Sequence, residues 1–168
     1  TQYNNRVLDC KQALEIINKL VGKSYLNLSE ASLTELSLAK GKMSIEIYNR
    51  ALFVLKENKR TLKSAELLEK NDLLQFGKLM YQSHNGLKNN YEVSCKELDY
   101  LVESTRKHKD ILGARMMGGG FGGCTINLIN KNFTKKFLKI IIQQYKLNFK
   151  LDLGVIIAKP EEGLKIIK

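Results

Sequence analysis

The sequence predicts an α+β fold, with helices packed on one face of a small antiparallel sheet. Three observations predict it. Apolar residues keep helical spacing from the start of the chain to Thr105. The period then changes, and two β-rich runs, Ala114–Met117 and Thr125–Ile129, flank a stretch holding five of the chain's 12 glycines. A further amphipathic helix and a last β-rich run come after them. Several helices, then strand, strand, helix and strand, is the order of an α+β domain rather than of a parallel α/β sheet.

Val7, Leu14, Ile17 and Val21 form a helical stripe over residues 7–21. Asn27–Ser32 is polar and turn-like, and Leu33–Leu38 is a short helix. From Ser44 to Lys70 the apolar residues again recur at helical spacing. This stretch is one long helix or two, with Asn58 and Arg60 as the candidate breaks. Asn71-Asp72 reads as a stop followed by a new N-cap. The helix it opens carries Leu73, Phe76, Met80, Ser83 and Leu87. Another begins at Ser94 or Cys95 and runs to Thr105. After the two strands, Asn132–Asn148 is helical, with Phe137, Ile140, Ile141 and Leu147 on its apolar side. Leu153–Ala158 reads as a buried strand bounded by Pro160, the single proline. The tail Leu164–Lys168 is assigned to no element.

Length and composition narrow the function. The 168 residues suit one domain, residues 1–168, with a core of useful size. A hydrophobic content of 43% excludes a disordered chain, and no apolar run approaches a membrane span. The first residues lack both an apolar signal core and an initiator methionine, which reads as an excised, processed or trimmed chain. The net charge of +11 comes mostly from lysines scattered from Lys11 to Lys168. That pattern fits solvated helix faces rather than a nucleic-acid stripe rich in arginine. Neither nucleic acid nor membrane is an expected partner. Cys10, Cys95 and Cys124 are odd in number and lack metal-ligand spacing, so neither a disulfide framework nor a metal site is expected. A cytoplasmic location fits, with each cysteine a small buried apolar residue.

The glycine stretch carries the chemistry. Residues 113–125 read Gly-Ala-Arg-Met-Met-Gly-Gly-Gly-Phe-Gly-Gly-Cys-Thr. Bare amides in such a loop can form an anion-binding concavity. Gly118-x-Gly120-x-x-Gly123 matches the dinucleotide fingerprint in letters only. The residues after Gly123 are β-rich rather than helical, and no acidic residue stands at the required distance. A P-loop is excluded as well, because Cys124 and Thr125 stand where Lys and Ser/Thr are required. A KH-type backbone clamp needs helices on both sides, and Phe121 is the single aromatic residue in the loop, which leaves that clamp a minor alternative. A hairpin without a ligand is the plain structural alternative.

The same residues closely resemble the third signature of the GHMP small-molecule kinases, in the form found in the galactokinase branch of that family. Tyr91-Glu92-Val93-Ser94-Cys95 with Glu97-Leu98-Asp99 resembles the stretch just upstream of that signature. Phe76-Gly77, Leu79-Met80, Ser83-His84, Leu87, Glu57-Asn58, Arg60-Thr61-Leu62, and Tyr3-Asn4 with Arg6 and Cys10 also resemble it. The resemblance runs from Tyr3 to Pro160. It departs at Met117, where the family often has Thr. The family's N-terminal sugar signature, Gly/Ser-rich phosphate loop, catalytic Asp and partner Arg have no match in this chain.

The resemblance implies a C-terminal domain whose parent enzyme transfers the γ-phosphoryl group of ATP, with Mg2+, to D-galactose. It implies that Gly118, Gly119, Gly120, Phe121, Gly122 and Gly123 support the nucleotide phosphates. It also implies that Tyr3 faces galactose, and that catalytic residues and metal ligands lie in an N-terminal half, the chain's partner in the intact enzyme. The chain alone is expected to be inactive. Another GHMP sugar kinase and a non-catalytic galactose sensor are the alternatives. His84, beside Ser83, invites a catalytic reading, but a packing or hydrogen-bonding role suits it better. His108, between Lys107 and Lys109, is expected at a solvated helix end.

Overall fold

The structure, a computed structural model, describes residues 2–159. Six helices and two strands form along it. They are α1 (Gln2–Val21), α2 (Leu33–Ala39), α3 (Ile45–Glu69), α4 (Leu73–Asn89), α5 (Lys96–Thr105), β1 (Ile111–Met117), β2 (Cys124–Ile129) and α6 (Lys131–Phe149). Short 3-10 turns cover Leu28–Glu30 and Lys40–Lys42.

Local chemistry sets the boundaries. The Ser32 hydroxyl accepts the Glu35 amide at 3.1 Å and the Glu35 carboxylate accepts the Ser32 amide at 2.7 Å, a capping box that opens α2. Ser44 caps α3 through the Ile47 amide, and Asp72 caps α4 through the Gln75 amide at 3.1 Å. The expected stop falls at Asn71, which adopts a φ of 53°. Asn130 caps α6, which ends at Lys150 with a φ of 58°.

Helix α3 is continuous through Asn58 and Arg60. It contains neither proline nor glycine. The Asn58 side-chain amide is buried without a hydrogen-bond partner, so it does not turn back on the backbone as Asn does where it breaks a helix. Arg60 instead pairs with Glu57 along the helix.

Three apolar clusters hold the chain together. Ile17 of α1, Leu36 of α2, and Ile47, Ala51 and Leu55 of α3 belong to the first. Phe53, Leu87, Val93, Leu98 and Met116 form the second, where α3, α4, α5 and β1 meet. Leu101, Ile111, Phe137, Ile141 and Tyr145 form the third, which seats α6. The sheet is the antiparallel pair β1–β2, with Met116 opposite Thr125 and Met117 opposite Cys124. Helix α4 packs so closely on β1 that a methyl group at Gly77 would lie 2.0 Å from the Leu112 carbonyl oxygen.

Four expectations need correction. Leu153–Ala158 is neither strand nor buried. The αL turn at Lys150 lets Leu153 pack against the α5–α6 cluster, and the chain then leaves the surface, with Ile156 94% exposed. Alternation shows what a segment can pair, but a strand also needs an edge to pair with. The cysteines are not buried: Cys124 is exposed, and Cys10 and Cys95 are partly so. Leu147 and Val7 lie outside the core, because α6 turns Phe137, Ile141 and Tyr145 inward, and α1 turns in Ala13 and Ile17. His108 is half-buried, its ring 5.3 Å from Phe133 and 5.4 Å from Phe137. Pro160 and Leu164–Lys168 lie outside the described residues.

The close approach of α4 to β1 makes a first prediction. Gly77→Ala drives a methyl group into the backbone of β1 and is expected to cost about 1–3 kcal/mol or more, the range for overpacking. Gly41→Ala, with nothing within 4 Å, is expected to change stability little. Urea midpoints of the two variants measure the contrast. Equal midpoints would show that α4 can move off the sheet without cost.

Candidate functional site

The β1–β2 pairing closes at Met117 opposite Cys124, so residues 118–123 form the connection between the strands. The loop is built almost wholly from left-handed backbone. φ is 85° at Gly118, 84° at Gly120, 59° at Phe121, 136° at Gly122 and 93° at Gly123. Phe121 is the one residue with a Cβ among these, and it is held in place. Its amide donates to the Val93 carbonyl at 2.7 Å. At Gly120 the approach is closer still, since a Cβ there would lie 2.1 Å from the same carbonyl oxygen. Among the described residues, no other amide in 118–123 has a backbone or side-chain acceptor. The remaining loop amides are therefore free to meet an anion.

The segment under the loop is itself clamped. Arg6, buried on α1, donates from Nε to the Tyr91 carbonyl at 2.6 Å and from Nη2 to the Glu92 carbonyl at 2.7 Å. Its guanidinium carbon lies 5.8 Å from the centre of the Phe121 ring. Arg50 of α3 pairs with Asp9 of α1 and, at 3.1 Å, with Glu92, which adopts a φ of 53°. The Tyr91 ring lies 4.9 Å from Phe53, and its hydroxyl lies 3.9 Å from the Cys10 sulfur. Burial, with the Cys10 sulfur beside it, pushes the Tyr91 phenol above its usual range, so the hydroxyl stays protonated.

Tyr3 projects from the first turn of α1 beside Gly119. A methyl group on Gly119 would sit 3.7 Å from the Tyr3 ring. The ring is 54% exposed, so its free edge faces solvent next to the loop. Tyr3 and the loop Gly118–Gly123 thus lie side by side.

His84 and Ser83 are adjacent in sequence but have separate partners. The Ser83 hydroxyl donates to Glu57, which also holds Arg60 and Arg115. His84 is buried against Met116 and Asp99. The pair does not form a nucleophile and base, and His84 packs and hydrogen-bonds. Among the described residues, no group of three or more His, Cys, Asp or Glu side chains could hold a metal ion.

Sequence reasoning missed the roles of Arg6, Arg50 and the Val93 carbonyl. Arg6 and Val93 stood within the resembling stretches. Their contacts, however, run to main-chain carbonyls more than 80 positions away or from a distant main-chain amide, and no side-chain pattern encodes those. The αL conformation of Glu92 gave no composition signal either.

Residues 64–139 match the family described as GHMP kinases C terminal. The chain is 37% identical to the galactokinase of Thermotoga petrophila over 167 residues, covering 99% of this chain and 45% of that protein. It is 39% identical to the galactokinase of Bos taurus over 135 residues, covering 80% of this chain and 34% of that protein. A solved structure of Lactococcus lactis galactokinase complexed with galactose superposes with a TM-score of 0.83 at 32% identity. That match covers 90% of this chain and 39% of the other. The chain spans less than half the length of these relatives. It belongs to the GHMP kinases and corresponds to the C-terminal domain of their galactokinase-like members.

Proposed function

We propose that the chain is the C-terminal domain of an ATP-dependent sugar kinase, whose longer parent transfers the γ-phosphoryl group of ATP to the anomeric hydroxyl of D-galactose. The single observation that carries this reading is the loop Gly118–Gly123. One amide is fixed to Val93, and the others are left unclaimed on left-handed backbone. Such an array suits the phosphate oxygens of a nucleotide. Phosphoryl transfer asks the protein mainly for positioning and charge stabilisation.

Tyr3 lies against Gly119, so the residue proposed to face galactose is beside the loop proposed to face the phosphates. A transfer reaction needs that proximity between its two substrates. The chain's described carboxylates form no metal cluster. As the family resemblance implies, Mg2+ is assigned to the N-terminal half of the parent, together with the catalytic carboxylate and most ATP contacts. The parent is proposed to work in the cytoplasm with ATP and galactose, not with nucleic acid or membrane. The described helices include none long and apolar enough to cross a bilayer.

A coupled ADP-release assay tests the reading. The full-length parent is expected to release ADP only with galactose present, and the chain alone to show no turnover. Galactose binding by the parent without ADP release would favour a sensor instead. Turnover by the chain alone would overturn the assignment of the catalytic groups to the other half.

The loop makes a sharper test. Gly120→Val adds a side chain against the Val93 carbonyl at a φ of 84°, and the strain is expected to cost about 1–3 kcal/mol of stability. Turnover per folded molecule is expected to fall further, by about tenfold or more, about 1.4 kcal/mol of transition-state stabilisation. Stabilisation by Mg-ATP in thermal melts is expected to shrink with it. Lys63→Ala, which removes an exposed pair with Glu66, is expected to change neither. Normal turnover per folded molecule in Gly120→Val would remove the loop from the active site.

A further inference from the structure

We propose that His84, kept neutral between the Met116 amide and the Asp99 carboxylate, is the positioning residue that sets the Gly118–Gly123 loop to receive nucleotide phosphates. The proposal rests on the nucleotide reading of that loop. His84 lies on α4 and is 3% exposed. Its Nδ1 accepts the Met116 amide at 3.3 Å, so Nδ1 carries no proton. The proton sits on Nε2, which faces Asp99 Oδ1 at 3.3 Å. The same carboxylate accepts the Ser94 hydroxyl at 2.6 Å and pairs with Lys88 at 2.9 Å.

Those bonds join the two supports of the loop. Met116 is the second residue before Gly118 and forms its root on β1. Ser94 follows Val93, whose carbonyl holds the Phe121 amide. The root and the clamp thus meet at one carboxylate through one imidazole. No strand covers the outer edge of β1 among the described residues, so His84 supplies the acceptor that a neighbouring strand would otherwise offer.

The arrangement requires neutral imidazole. A doubly protonated ring would set an N–H against the Met116 N–H. The charged groups that face it are Asp99 on α5, which favours the proton, and Lys88 on α4 and Arg106 at the end of α5, which oppose it. Burial opposes it most, and the His84 pKa lies below its usual 6.5. In the unfolded chain the ring binds a proton below about pH 6.5, whereas in the fold it does so only at lower pH. The stability His84 contributes is therefore complete above about pH 6.5 and declines as pH falls through and below that value. Over the same range the root contact opens more easily, because the opened ring binds a proton that the closed ring does not.

Hydrogen–deuterium exchange of the full-length parent tests this, with rates corrected for the intrinsic effect of pH. The reporters are a peptide spanning residues 113–124, whose Met116 and Phe121 amides carry the bonds in question, and a reference peptide from α3. In the wild type, loop protection is expected to fall at least threefold between pH 7.5 and pH 5.8, while α3 protection holds. His84→Asn places an amide oxygen near Nδ1 and does not titrate. It is expected to keep most of the protection seen at pH 7.5 and to lose the pH dependence. His84→Leu is expected to show low loop protection at both values. At pH 7.5 it should raise the KM for ATP at least fivefold with the KM for galactose within twofold, and His84→Asn should restore it. If the Leu variant does not fold, the wild-type pH series and the Asn variant still decide the matter. Loop and α3 protection that fall together with pH, or loop protection unchanged in a folded His84→Leu, would overturn the positioning role. Loop protection that follows His84 while the KM for ATP stays fixed would instead overturn the nucleotide reading.

Discussion

The carbonyl of Val93 is the contact on which the candidate site depends. It accepts the Phe121 amide at 2.7 Å and leaves no room for a Cβ at Gly120. A six-residue connection with left-handed backbone at most positions has high conformational freedom when unfolded. One hydrogen bond does not fix such a loop. The bond is useful because the residue that accepts it is packed into the core. Val93 is almost fully buried beside Phe53, Leu87, Leu98 and Met116, so the loop is referenced to the second core cluster rather than to the strands alone.

Electrostatic contacts, as well as burial, hold the 91–93 segment. Arg6 is a buried cation whose described side-chain bonds go to two carbonyl dipoles rather than to a carboxylate. Hydrogen bonds from charged donors contribute roughly 1.5–3 kcal/mol each, and more is lost when a buried partner is stranded. Arg50 carries the charge pairing instead, joining Asp9 and Glu92. The division has a geometric result. α1 is fastened to residues 91–93 through the main chain, so Tyr3, one turn before Arg6, is held at a defined distance from the loop. The positive φ of Glu92 is the local strain that turns both carbonyls toward Arg6, and the surrounding bonds maintain it.

Much of the fold was legible in the sequence, and the reasons differ between elements. The helices were readable because apolar spacing and caps are local: Ser32, Ser44 and Asp72 each close on an amide three residues away. The hairpin was readable because the period changes on both sides of the glycines. The continuity of α3 through Asn58 was not, since the Asn58 side-chain nitrogen is buried without a partner instead of bonding the backbone. Leu153–Ala158 failed as a strand because pairing is a property of two segments, and a sequence shows one at a time. Tyr3 and the glycines were legible as members of a resembling pattern. The clamp beneath them was not, because it consists of main-chain groups contacted by side chains and amides distant in sequence.

The loop also differs in kind from the phosphate-binding loops that its spacing superficially matches. In those, the glycines open a helix, whose terminal dipole adds positive potential at the anion. In this chain β2 succeeds the glycines, and a sheet contributes little net dipole. No lysine directly follows Gly123, and Arg6, whose guanidinium lies over Phe121, is committed to the Tyr91 and Glu92 carbonyls. On the nucleotide reading, this chain therefore supplies shape and neutral amide donors rather than charge. On the same reading, the charge that phosphoryl transfer requires is assigned to the rest of the proposed parent enzyme. That division suits a loop seated through Phe121 and Gly120 on the buried Val93 carbonyl. A site that contributes geometry alone works only while its geometry is kept, and His84 behind β1 fixes the Met116 amide without adding a charge beside the loop.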